Sequence, residues 1–183
     1  MIYMFLAEGF EEIEALCPLD LMRRAGLSVA TVGVGGEYIT GAHSITVKAD
    51  MTDVDFAANR CENDAQMIFL PGGMPGTLNL EASQIVCDAV RSAAEDRKYV
   101  AAICAAPSIL GKMGLLLGKE AICYPGFERF LEGAAISDER VVLDGNILTA
   151  AGMGAALDMG IKIVELFCGA DKANALRSAV IAD

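Results

Sequence analysis

Four short runs, IYMFLA (2–7), SVATVGV (28–34), AQMIFLPGG (65–73) and KYVAAIC (98–104), are apolar nearly from end to end. Strands of that kind need cover on both faces. Segments of helical character stand between them: roughly 10–25, ending near Gly26, and QIVCDAVRSAAED at 84–96. Such alternation predicts an α/β fold with a mostly parallel, doubly wound sheet. Open sheets of this class bind ligands outside the carboxyl ends of their strands, at the point where strand order reverses. The remaining elements fit the same pattern. A hairpin or short edge strands are expected in 37–50, a short helix over 107–114, and short strands over 120–125, 140–145 and 146–151. The last two form a hairpin around Asp144-Gly145. Helices over 154–169 and about 171–181 close the chain.

The chain has 183 residues, 54% of them hydrophobic, with no low-complexity stretch, linker or repeat. One domain over 1–183 is expected. The net charge of −11 opposes binding to nucleic acid or anionic membrane. The N-terminus meets Glu8 too early for a signal peptide, and no apolar run approaches the ~20 residues of a membrane-spanning helix. Six cysteines without a CxxC pair suit free thiols in a reducing cytosol, so a cytoplasmic location is expected. The single histidine, His43, excludes most zinc sites and most Cys-His nucleophilic pairs. No metal or organic cofactor is expected.

Three strand ends are unusual for loops. In VAAICAAPSIL (100–110), Cys104 falls where a strand turns directly into a helix, with Ala102, Ala105 and Ala106 around it. A side chain there projects above the sheet, as at a nucleophile elbow, and small neighbours relieve the tight turn. Helix N–H groups at that junction predict a lowered thiol pKa. A packed, inert cysteine is the alternative. In the first helix, Phe10, Glu14, Cys17 and Leu21 share one stripe, while Glu11 and Glu12 point elsewhere and Arg24 can pair with Asp20. Glu14 thus lies on an apolar face, where a carboxyl is costly unless protonated or partnered. The third end is the Pro-Gly-Gly turn at 71–73. The N–H of Gly73, with that of Ala105, is placed to meet an oxyanion or an oxidised sulfur.

The stretch AAGMGAAL (150–157) is similar to a dinucleotide-binding fingerprint. Leu157 stands where the third glycine belongs, however, and no acidic residue ends a following strand. A glycine-lined helix start near the same pocket is the simpler reading.

Taken in order, LAEGFEEIEAL…DLMRRAG, IFLPGG, VAAICAAP and ILTAAGMG strongly resemble the ThiJ/PfpI superfamily in its DJ-one branch, over nearly the whole chain. The resemblance implies a flavodoxin-like fold of the class I glutamine-amidotransferase type, and a homodimer. It implies a reactive elbow cysteine at Cys104 and a protonated partner glutamate at Glu14. Backbone amides of the family's Gly-Gly turn map to Gly72 and Gly73. There are departures. Ala105 stands where protease-like members carry histidine, Tyr124 where the DJ-one branch often has one, and Ala151-Gly152-Met153-Gly154 replaces an Arg-Gly-Pro-Gly stretch. Tyr124 and Gly152 are therefore candidate pocket residues. Protease and amidotransferase chemistry are disfavoured, and a pocket less cationic than in typical relatives is expected.

Two functions compete. One is a cofactor-independent enzyme of glyoxalase or deglycase type, acting on small reactive carbonyls with Cys104 as nucleophile and Glu14 as acid/base. The other is an oxidative-stress sensor in which an oxidant converts Cys104 to a sulfinate and catalysis is incidental. A chaperone-like role through an apolar surface is a third, blander reading.

Overall fold

Along β1 (Ile2–Leu6) the side chains alternate between two cores. Tyr3 and Phe5 enter one, while Ile2, Met4 and Leu6 enter the other. All five are buried, so both faces of the strand are covered. The structure is a computed structural model describing residues 1–182. Its strands continue with β2 (Val29–Gly33), β3 (Tyr38–Thr40), β4 (Thr46–Lys48), β5 (Met51–Thr52), β6 (Met67–Leu70), β7 (Tyr99–Ile103), β8 (Glu120–Ala121), β9 (Ala135–Ile136), β10 (Val141–Asp144) and β11 (Ile147–Ala150). The helices are α1 (Glu12–Arg24), α2 (Asp53–Ala58), α3 (Gly76–Ala82), α4 (Gln84–Glu95), α5 (Pro107–Lys112), α6 (Ala156–Cys168) and α7 (Ala170–Ala179).

Seven strands form the central sheet in the order β10-β11-β7-β6-β1-β2-β5. Every pair is parallel except β10 with β11. That edge hairpin closes with Asp144 opposite Ile147. Its turn is therefore Gly145-Asn146, one residue beyond the expected position, with Gly145 at φ 63°. One face of the sheet packs against α2, α4 and α5 through Phe56, Val86, Val90, Ile109 and Leu110. The other packs against α1 and α6 through Leu19, Met22, Met159 and Ile163. This is the expected doubly wound α/β architecture.

Helix α1 runs through Pro18 without a break, so the spacing argument keeps its phase. Gly160 lets α6 approach closely there: a Cβ would lie 2.6 Å from Leu21 Cδ1 and 3.0 Å from Pro18 Cα. The 37–50 segment is a hairpin of β3 and β4. Over 120–125 only Glu120–Ala121 is extended, paired with β9. Two short helices, α2 and α3, were not expected. The first starts on a reciprocal cap between Thr52 and Asp55.

Strand β1 leads to β2 on one side, and β6 then adds on the other, so strand order reverses between β1 and β6. The carboxyl ends of β1, β6, β7 and β11 open onto one edge of the sheet around that point. This brings together the three unusual strand ends and the glycine-rich start of α6.

Candidate active site

Cys104 follows β7 directly and holds φ 65°, a left-handed conformation that costs a non-glycine residue about 1 kcal/mol or more. Neighbouring strands and loops fix it there. Its N–H donates to the Ala150 carbonyl at 2.9 Å, and its carbonyl accepts from the Tyr124 N–H at 2.8 Å. Ala102, Ala105 and Ala106 are all buried, so larger residues there would have to displace core atoms. Cys104 itself is only half-buried, so the sulfur is reachable.

Glu14 lies in the first turn of α1, 1% exposed. Its Oε2 accepts the Gly72 N–H at 3.0 Å. The Cys104 thiol and the Met153 N–H lie close enough to favour its charged form as well. Burial, the largest influence, and the nearby Glu11 carboxylate push Glu14 up to about 7, against the hydrogen bonds that favour its charged form. Glu11 also caps α1 and accepts the Glu14 backbone N–H at 2.8 Å. Glu14 thus has the raised pKa expected from its place on the apolar stripe.

The Cys104 thiol departs from expectation. Its pKa is pushed up to about 12, first by burial and then by the Glu14 carboxylate beside it. The N–H groups of Ala105 and Gly73 are directed at the sulfur and favour the thiolate, but they do not outweigh those two effects. Helix α5 contributes little, being only six residues long. The thiol therefore retains its proton at neutral pH while Glu14 is partly ionised, and a nucleophilic sulfur arises as that proton passes to the Glu14 carboxylate.

The two glycines of the turn divide their duties. Gly73 turns its N–H toward the sulfur. At φ +93°, with a would-be Cβ 2.3 Å from the Glu11 nitrogen, its place admits only glycine. Gly72, expected to offer an amide to substrate or sulfur, gives it to Glu14 instead. Its missing side chain is equally important, because a Cβ would lie 2.5 Å from Glu14 Oε2 and 2.7 Å from Cys104 Cβ.

Tyr124 and Gly152 adjoin the cysteine. A Cβ on Gly152 would stand 3.3 Å from the Tyr124 ring and 3.9 Å from Cys104 Sγ. Both residues line an open depression of about 330 Å³. Its rim carries Arg140, a cation unforeseen in the sequence because it precedes the edge strand β10.

Glu12, expected to point away from the apolar stripe, is buried as well. Burial alone would push its carboxyl up. The His43 side chain at 2.9 Å and the N–H groups of His43 and Ile45 outweigh that, and its pKa is lowered. The only histidine is thus engaged by Glu12. Donor atoms of Glu11, Glu12 and His43 lie within 4.8 Å of one another, and Glu12 is already engaged by His43 and the Ile45 N–H. Asp20 and Arg24 pair at 2.6 Å on the surface, as expected. No helix among the described residues is long and apolar enough to cross a membrane.

An α/β sheet whose elbow cysteine meets a buried glutamate defines the class. Residues 1–166 match the DJ-1/PfpI family, and the chain belongs to it. It is 32% identical to protein dj-1beta of Drosophila melanogaster over 179 residues, covering 96% of this chain and 94% of that one. It is 28% identical to the glutathione-independent glyoxalase DJR-1.2 of Caenorhabditis elegans over 170 residues, 92% of this chain and 89% of the relative. Among solved structures, oxidized DJ-1 of Toxoplasma gondii superposes with a TM-score of 0.91 at 28% identity, covering 98% of this chain and 97% of that one.

Proposed function

We propose that the protein is a cofactor-independent enzyme acting on small reactive carbonyls, with 2-oxoaldehydes such as methylglyoxal as substrates. The observation that carries this reading is the buried Glu14 carboxylate held beside Cys104 across Gly72, with its pKa raised to about 7. A base near neutrality is suited to moving protons at physiological pH. Similarity to a relative named as a glutathione-independent glyoxalase adds support.

The steps balance without an external oxidant. The sulfur adds to the aldehyde carbon as the thiol proton passes to Glu14 and on to the new hydroxyl, giving a hemithioacetal. The Glu14 carboxylate then removes the proton from C1, and an enediol forms. Protonation at C2 and loss of the C1 hydroxyl proton leave a thioester of the 2-hydroxy acid on Cys104. Water cleaves it, releasing the acid and restoring the thiol. C1 is oxidised and C2 reduced, so the net change is addition of one water. Release of early glycation adducts from proteins would use the same two groups.

A second reading is supported by the amides of Ala105 and Gly73, which face the sulfur and would stabilise an oxidised, anionic form. In it the protein senses oxidative stress through a Cys104 sulfinate. We further infer one domain over 1–183, a homodimer and a cytoplasmic location, the dimer from family resemblance and the location from the free cysteines.

One set of assays separates the two functions. Purified, fully reduced protein should consume methylglyoxal and form lactate, and Cys104→Ala should not. Absence of turnover by the reduced wild type overturns the enzyme reading. Graded peroxide followed by mass spectrometry tests the sensor, which fails unless Cys104 is oxidised ahead of the other five cysteines.

A further inference from the structure

The depression beside the cysteine has a chemical polarity that methylglyoxal does not use. Tyr124, Gly152 and Met153 line it, and Arg140 is the one charged residue among the described residues that line it. Gly152 brings it close to the cysteine, since a Cβ there would lie 3.9 Å from Cys104 Sγ. Its volume of about 330 Å³ lies within the range of small-ligand sites and leaves room for more than three carbons.

Arg140 is not neutralised there. Its guanidinium contacts the Gly154 carbonyl, and Nη1 lies 3.4 Å from Asp158 Oδ2. Asp158 is shared, however, with Arg177 at 3.3 Å. Two guanidiniums thus face one carboxylate, and the cluster retains a positive charge. Arg140 carries it outward, with its side chain 64% exposed against 35% for Arg177. On a chain of net charge −11, a cation beside the reactive sulfur selects among ligands by charge. A guanidinium also offers more donors than those two contacts use, in a fork that matches carboxylate or phosphate.

We propose that the preferred substrates of the Cys104–Glu14 site are 2-oxoaldehydes bearing an anionic tail, carboxylate or phosphate, which Arg140 holds while the aldehyde lies over the sulfur. The proposal rests on the carbonyl-enzyme reading above and narrows its substrate class. The reacting end undergoes the same steps, with no added reactant.

The test compares methylglyoxal with 4,5-dioxovalerate, which has the same reacting end and a carboxylate beyond it. Wild type should favour 4,5-dioxovalerate in kcat/KM by about ten- to a hundredfold, as expected for one charge-assisted contact. Arg140→Gln should collapse that ratio toward one, and Arg140→Lys should restore part of it. Asp158→Asn, which removes the shared carboxylate, should raise the ratio. A phosphorylated 2-oxoaldehyde distinguishes the two tails. Turnover of methylglyoxal with no preference in the wild type, or a preference indifferent to Arg140→Gln, overturns this proposal and leaves the carbonyl reading standing. Turnover of neither compound overturns the carbonyl reading. The unreactive analogue levulinate then still reports on the subsite: it should protect Cys104 from alkylation in wild type and not in Arg140→Gln, and equal protection in both overturns a role for Arg140.

Discussion

Glu14 and Cys104 meet across Gly72, which has no side chain to separate them and whose amide holds the Glu14 carboxylate at 3.0 Å. The glutamate arrives from the helix after β1 and the cysteine from the end of β7. The intervening strand β6 supplies the glycine. Both groups are thereby placed where water is scarce, and burial raises both pKa values.

The contact gives a sharp expectation for the two glycines near the sulfur. Gly72→Ala would insert a methyl group within 3 Å of both partners and of the Ile103 carbonyl. It should cost about 1–3 kcal/mol of stability and abolish turnover. Gly152→Ala meets only the Tyr124 ring at 3.3 Å and the sulfur at 3.9 Å. It should leave the denaturation midpoint near that of wild type and raise KM. Chemical denaturation and steady-state kinetics on both variants check the contrast.

Glu14 also makes stability depend on pH. Its folded pKa, about 7, lies above the ordinary carboxyl value of 4.5. The folded state therefore binds more protons between those values, and stability falls as pH rises through that window. Glu14→Gln removes the penalty. The variant should be more stable than wild type at pH 8, by up to about 3 kcal/mol, and the gain should vanish toward pH 4.5. Urea midpoints at several pH values measure it; a gain independent of pH would contradict the assignment.

The thiol should titrate above an ordinary cysteine. Selective labelling and the NMR shift of the Cys104 β-carbon give its pKa directly. Wild type should lie well above the usual 9, toward about 12. Glu14→Gln should lower it, because the carboxylate's charge and hydrogen bond both raise it. A wild-type pKa below that of free cysteine would contradict the account of a thiol that retains its proton.

Much of this arrangement is readable from the chain. Apolar strands alternating with helices specify the layers, because a strand buried on both faces leaves few alternatives. Cys104 stands out by its position at a strand–helix junction among alanines, and Glu14 by helical spacing with Phe10, Cys17 and Leu21. What escaped notice depends on three-dimensional surroundings. The thiol was expected to be acidic because helix dipoles can be read from sequence, whereas desolvation and a carboxylate from another element cannot. Gly72 and Gly73 look alike in the chain, and only the placement of Glu14 separates their roles. The burial of Glu12 was not foreseen, because nothing local announces that the His43 loop folds over it. Helix α2 is only six residues long, too short a run for helical periodicity to show.

The central claim is that Cys104 and Glu14 act as one unit. The most direct measurement compares kcat/KM for lactate formation from methylglyoxal among wild type, Glu14→Gln and Cys104→Ala, at pH 8 where Glu14 is ionised. Glu14→Gln should lose about 100-fold or more, as expected for a general acid–base group. Cys104→Ala should lose all measurable turnover. Activity of Glu14→Gln within a few-fold of wild type would contradict the account.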